Sequence, residues 1–117
     1  ELLKKINTIS EKKEKITNCL IQIKIAQEES KFGMSKSHLD IIKGNMNQFS
    51  FVNIKGLMGM ATASLNEEKI KQEFNSLNKL YLDSSNFEIL CMGMSQDYKI
   101  AHECGSNMFR IGSYIFS

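Results

Sequence analysis

Phe87-Glu88-Ile89-Leu90-Cys91-Met92, followed at once by Gly93-Met94-Ser95-Gln96-Asp97, sets the architecture of this chain. The first six residues are rich in branched and aromatic side chains and read as a strand over 87–92. The glycine, serine and aspartate after them read as a tight turn. Ser95 is the expected cap of a short helix over about 96–104, and residues 107–111 read as the next strand. A strand, a turn, a helix and a second strand make a crossover unit, and two strands joined in that way run parallel.

The same alternation continues toward the amino terminus. Asn66 is placed to cap a helix in which Glu67 and Glu68 sit at the positive end of the dipole and Ile70, Phe74, Leu77 and Tyr81 form the apolar stripe. Residues 52–58 read as a strand, and Gly59 with the small residues Ala61, Thr62, Ala63 and Ser64 forms a permissive loop after it. Ser35 or Ser37 is placed to start a helix whose apolar face is Leu39, Ile42, Met46 and Phe49, with Gly44 as a weak point. Residues 18–25 read as a further strand. Leu2, Leu3, Ile6 and Ile9 give an amphipathic helix over 1–13. The order is α-β four times over, which calls for an α/β protein with a parallel sheet and right-handed crossovers. Leu20 to Ile25 is too apolar for an exposed edge, so the expected object is either a compact four-stranded domain with covered edges or a piece of a larger parallel sheet or barrel.

Composition narrows the function classes. The 117 residues carry 42% hydrophobic and 24% charged side chains, with 15 basic against 13 acidic residues and a net charge of +2. The basic residues are interleaved with acidic ones, which argues against a nucleic-acid partner. No apolar run approaches the roughly 20 residues of a membrane span, and the start lacks a signal-peptide core, so the expectation is a cytoplasmic protein without a membrane partner. Cys19, Cys91 and Cys104 are too scattered for a disulfide framework or a paired-cysteine zinc site. His38 and His102 have no second ligand at helical spacing, so no metal is expected. No nucleophile-base pair or carboxylate pair is suitably placed for independent chemistry, and the expectation is a protein that is not an enzyme.

Two places stand out for binding, each at the carboxyl end of a strand, where parallel α/β proteins bind ligands. In the first, Gly93 permits close approach of the backbone and Met94-Ser95 brings a hydroxyl to a helix start, which suits a phosphate. In the second, Gly112 and Ser113 repeat the arrangement one strand on. Arg110 is the sole arginine and lies between Phe109 and Ile111. With its neighbours packed under helices, it would point into the cleft, where a guanidinium needs an acceptor. Turn chemistry alone accounts for each glycine and serine separately.

Leu90-Cys91-Met92-Gly93-Met94-Ser95-Gln96-Asp97, Ala101, Gly105-Ser106 and Phe109-Arg110-Ile111-Gly112-Ser113 with Ile115-Phe116 closely resemble the carboxyl-terminal pattern of the pyridoxal phosphate homeostasis protein family, also called the YggS or PROSC family. Lys55-Gly56-Leu57-Met58 resembles its sixth strand. Leu20-Ile21-Gln22-Ile23, with Glu29-Ser30-Lys31 and Gly33, resembles its fifth. The resemblance implies the C-terminal half of a (β/α)8 barrel like the amino-terminal domain of alanine racemase. Residues 1–117 would then form a single partial domain binding pyridoxal 5'-phosphate (PLP) without turnover. It further implies that Ser95, Gly112 and Ser113 hold the phosphate, that Met94 is a cofactor-binding residue of the first turn, and that Arg110 faces the pyridine nitrogen. A cation there disfavours protonation of the ring and suits a carrier.

The family's Schiff-base lysine belongs to the first strand and has no counterpart here. The chain also departs from the family pattern at Lys24 (asparagine), at Met60-Ala61 (a loop proline), at Ser113 (threonine) and at Ser117 (glycine). Together with the missing initial methionine, these departures lead to the expectation of a fragment or split-gene product. The alternative function is that of a non-catalytic α/β fragment acting only by association with itself or with a separate amino-terminal half.

Overall fold

The computed structural model describes residues 2–26, 35–84 and 86–111. The elements are α1 (Leu2–Lys12), β1 (Thr17–Gln22), α2 (Lys36–Gly44), a 3-10 turn (Met46–Gln48), β2 (Val52–Gly59), α3 (Glu67–Leu82), β3 (Ile89–Met94), α4 (Tyr98–Glu103) and β4 (Met108–Arg110). The four strands form one sheet in the order β1-β2-β3-β4, and every neighbouring pair is parallel.

That sequential order matters, because right-handed crossovers between successive neighbours bring every helix to the same face. Ile21, Leu57 and Leu90 are partners across the three strands and are buried against this face. They share one core with Leu39 of α2, with Ile70, Phe74 and Leu77 of α3 and with Ala101 of α4. Thr17 of β1 hydrogen-bonds to Ser10 of α1 on the same side. Strand alternation sends the intervening residues Gln22, Met58 and Cys91, again mutual partners, to the face that carries no helix. A sheet clothed on one face and bare on the other is the arc of a barrel, whereas a doubly wound sheet has helices on both faces.

Local chemistry explains most boundaries. Ser35 is the cap of α2, its hydroxyl accepting from the His38 N–H at 3.3 Å. The α-helix stops at Gly44, so Met46 and Phe49 belong to the 3-10 turn and its exit rather than to a continuous helix. Asn66 caps α3 by accepting from the N–H groups of Glu68 and Lys69. β1 ends at Gln22, with Ile23 adding one bond to Met58, so Lys24 lies beyond the strand.

Two expectations near β3 need correction. The strand begins at Ile89 and runs through Gly93 to Met94, because the positive φ of Gly93 (103°) sits in a bulge opposite β4 and not in a turn. The helix after it starts at Tyr98 with Asp97 in the N-cap position, though the Asp97 side chain makes no cap bond, so Ser95 lies in the turn and is not the N-cap.

The junction before β4 is held by side chains. The buried Ser106 hydroxyl accepts from the Met92 N–H and lies within hydrogen-bond distance of the carbonyls of Leu90, Met92 and Met108. Asn107 accepts from the Leu90 N–H at 2.8 Å and donates to the Glu88 carbonyl at 2.9 Å. Three residues of β4 are thereby enough to register against β3.

Candidate functional site

The carboxyl ends of β3 and β4 lie side by side, with Met94 the direct partner of Arg110. Phe109 turns toward α4, where its ring meets Tyr98 edge-on at 6.3 Å and His102 at 6.1 Å. Alternation therefore sends Arg110 to the helix-free face, as the sequence predicts. Its guanidinium is exposed, and Nη1 reaches the Met60 thioether at 3.5 Å. Among the described residues no carboxylate forms an ion pair with it.

Four methionines and a cysteine surround this corner. Met58 and Cys91 are partners in the sheet, Met108 is the partner of Cys91, and Met94 and Met108 are exposed apolar side chains. Met60 follows β2 directly. Among the described residues the surface is apolar and polarisable around the Arg110 cation, which suits a flat organic ring carrying an anionic group.

The first predicted phosphate turn differs in detail from expectation. The Met94 N–H is taken by the Asp97 carboxylate at 2.8 Å, and the Asp97 N–H closes the turn on the Met94 carbonyl at 3.2 Å. Met94 therefore offers its side chain rather than its N–H. Ser95 remains partly exposed at the tip of the turn. Gly112 and Ser113, the second predicted turn, lie outside the described residues, as do Ile115, Phe116 and Ser117. Glu29, Ser30, Lys31 and Gly33 lie outside them too. Lys24 is exposed at the carboxyl end of β1, two strands away from β3.

His38 and His102 are both exposed, and among the described residues no three potential ligands converge on a metal position. No helix among the described residues is long and apolar enough to cross a membrane. Missed by the sequence reading was Glu73 of α3, which is buried against the loop after β2.

All three thiols titrate above their ordinary range. Burial pushes up Cys19 and Cys91, with the Arg110 charge opposing weakly at Cys91. For Cys104 burial acts first and Glu103 adds to it, against Lys71. A folded-state value raised in this way stabilises the protein fully at neutral pH, and that contribution is lost as the pH rises past the unfolded thiol value of about 8.5 and through the folded one. We expect a melting temperature that is flat between about pH 6 and 8 in the thiol contribution and falls above pH 9. The fall should be smaller in Cys91→Ala than in wild type. Melting curves followed by circular dichroism check this, and an equal alkaline fall in the two proteins would count against it.

Comparison with known proteins places this geometry. No family model matches the chain. It is 36% identical over 100 residues to the pyridoxal phosphate homeostasis protein of Helicobacter pylori, a match covering 85% of this chain and 45% of that protein. It is 31% identical over 105 residues to the protein of the same name from Haemophilus influenzae, covering 85% and 44%. The chain thus spans about half the length of the curated relatives it matches. Among solved structures, an unknown protein from Bifidobacterium adolescentis superposes with a TM-score of 0.87 at 28% identity, over 98% of this chain and 49% of that one. PipY of Synechococcus elongatus, solved with PLP bound, superposes with a TM-score of 0.86 at 20% identity, over 99% and 56%. The fold is therefore half of a (β/α)8 barrel. This chain is a homologue of the pyridoxal phosphate homeostasis proteins over their C-terminal portion.

Proposed function

We propose that residues 1–117 form one partial domain that binds PLP reversibly at the carboxyl ends of β3 and β4, and that they carry the cofactor without turning over a substrate. The observation that carries this is the pairing of Met94 with Arg110: it sets a cation that has no acidic partner among the described residues beside an exposed turn, on the helix-free face. The homologues named for PLP homeostasis and the PLP-bound PipY structure support the choice of ligand.

The residues present fit the group. Arg110 supplies a fixed cation with planar donors, Ser95 a hydroxyl, and Met60, Met94 and Met108 an apolar bed for a ring. In this assignment Ser95, Gly112 and Ser113 hold the phosphate, Met94 lies against the ligand, and Arg110 faces the pyridine nitrogen. When bound, the cofactor supplies a reactive aldehyde and an electron-accepting ring. Arg110 keeps that ring nitrogen unprotonated, which favours carriage over chemistry.

A titration of isotope-labelled protein with PLP, with pyridoxal and with inorganic phosphate tests this. The amides of Ser95 and Gln96 and the side-chain N–H of Arg110 should shift saturably with PLP. Inorganic phosphate should move the turn alone. Ser95→Ala should weaken PLP binding about fivefold, the loss of one hydrogen bond of roughly 1 kcal/mol. Shifts confined to the outer faces of α1 and α4 would refute the site.

A further inference from the structure

Glu73 is a carboxylate on α3 that is only 3% exposed. One of its oxygens accepts from the Thr62 backbone N–H at 2.6 Å, and the other from the Thr62 hydroxyl at 2.7 Å. Removing a carboxylate from water is costly, and charge-assisted bonds of this length are the kind that offset the cost. Both donors of a single loop residue are thus held by one side chain of the neighbouring helix. Thr62 is itself 5% exposed and stands two residues after Met60, whose sulfur meets the Arg110 guanidinium at 3.5 Å.

The loop between β2 and α3 has no intrinsic stiffness. It carries Ala61, Ala63 and Ser64, and the chain contains no proline. An anchored Thr62 confines Met60 to a short tether between the end of β2 and a fixed point. We propose that Glu73 is a positioning residue: by clamping Thr62 it holds Met60 against Arg110 and so fixes the direction of the guanidinium at the mouth of the sheet. The identity of the ligand at that mouth rests on the function proposed above, whereas the clamp is a property of the free protein.

Oxidation by dilute hydrogen peroxide, followed at each methionine by peptide mass spectrometry, tests the clamp in the unliganded 117-residue protein. Met58, on β2 just before Met60, and the buried Met92 serve as internal references. In Glu73→Ala and in Thr62→Val, Met60 should oxidise about tenfold faster, the scale set by losing a charged hydrogen bond, with Met58 and Met92 unchanged. Glu73→Gln keeps an oxygen for the Thr62 N–H and offers an amide N–H to the Thr62 hydroxyl, whereas Thr62→Val leaves one buried carboxylate oxygen without that hydroxyl; Glu73→Gln should therefore stay within about twofold of wild type. The lone arginine gives one side-chain N–H signal, which should move in Glu73→Ala and return in Glu73→Gln.

An unchanged Met60 rate would overturn the proposal, and so would a rise shared equally by Met58 and Met92, which would mean general loosening. If Glu73→Ala does not fold, Thr62→Val decides. A loosened Met60 with PLP affinity equal to wild type would also overturn the positioning role. A wild-type chain that binds no PLP would instead overturn the proposed function, leaving the Met60 rates and the Arg110 signal to judge the clamp.

Discussion

Gly56→Ala is expected to abolish the folded state. A Cβ at this position would stand 1.8 Å from the Ile89 carbonyl oxygen and 2.6 Å from its carbon, where ordinary contacts begin at 3.4 Å. The cause is local: Lys55 is the extra residue of a bulge in β2, the register passing from Cys19↔Ile54 to Leu20↔Gly56, and the bulge turns Gly56 sideways toward β3. The obstructing atoms are backbone, so no rotamer change relieves the overlap. β2 and β3 would have to separate along the pairs from Gly56↔Ile89 to Gly59↔Met92. A loss of more than about 4 kcal/mol is a large part of the 5–15 kcal/mol that holds a typical domain. Gly44→Ala is the control, since nothing lies within 4 Å of the new methyl at the end of α2. It should stabilise by up to about 1 kcal/mol. Urea unfolding of the two variants checks both signs, and a cooperative transition of wild-type midpoint in Gly56→Ala would contradict the register.

The second large effect is an absence of covalent capture. A stable imine needs a neutral lysine amine close to the ligand's aldehyde carbon. On the described part of the helix-free face the lysine nearest a strand carboxyl end is Lys24, and it follows β1 while the proposed site spans β3 and β4. Lys55 is engaged with Glu88 at 3.8 Å. Borohydride treatment of the 117-residue chain mixed with PLP should therefore leave the intact mass unchanged in nearly all molecules. A stoichiometric increment mapping to Lys24 would show that this lysine reaches the ligand, and would move the site toward β1.

Much of this was legible because the signals were local. The stripe of Ile70, Phe74 and Leu77 gave α3 and its buried face, and Ser35 and Asn66 gave helix starts. Phe109 beside Arg110 gave the side on which the cation lies. The end of β3 is not legible from the sequence because glycine signals both turns and strand bulges, and only the pairing with β4 distinguishes them at Gly93. Ser-Gln-Asp offers two cap candidates at the start of α4, Ser95 and Asp97, and the Asp97 carboxylate closes the turn on the Met94 N–H. Glu73 stands on the apolar stripe, three residues after Ile70 and four before Leu77, but its charge argues against burial. Its partner Thr62 lies in a loop, and a glutamate on an amphipathic helix ordinarily faces water.

The most direct test of reversible PLP binding at the paired ends of β3 and β4 is equilibrium dialysis of wild-type protein and Arg110→Gln against PLP. The substitution keeps a polar, unbranched side chain with an amide donor and removes the charge and the guanidinium fork. Saturable, reversible binding by the wild type, weakened about tenfold or more in Arg110→Gln, is the predicted result, because a hydrogen bond from a charged donor contributes about 1.5–3 kcal/mol. Equal binding by the two proteins, or none by the wild type, would contradict the proposed site.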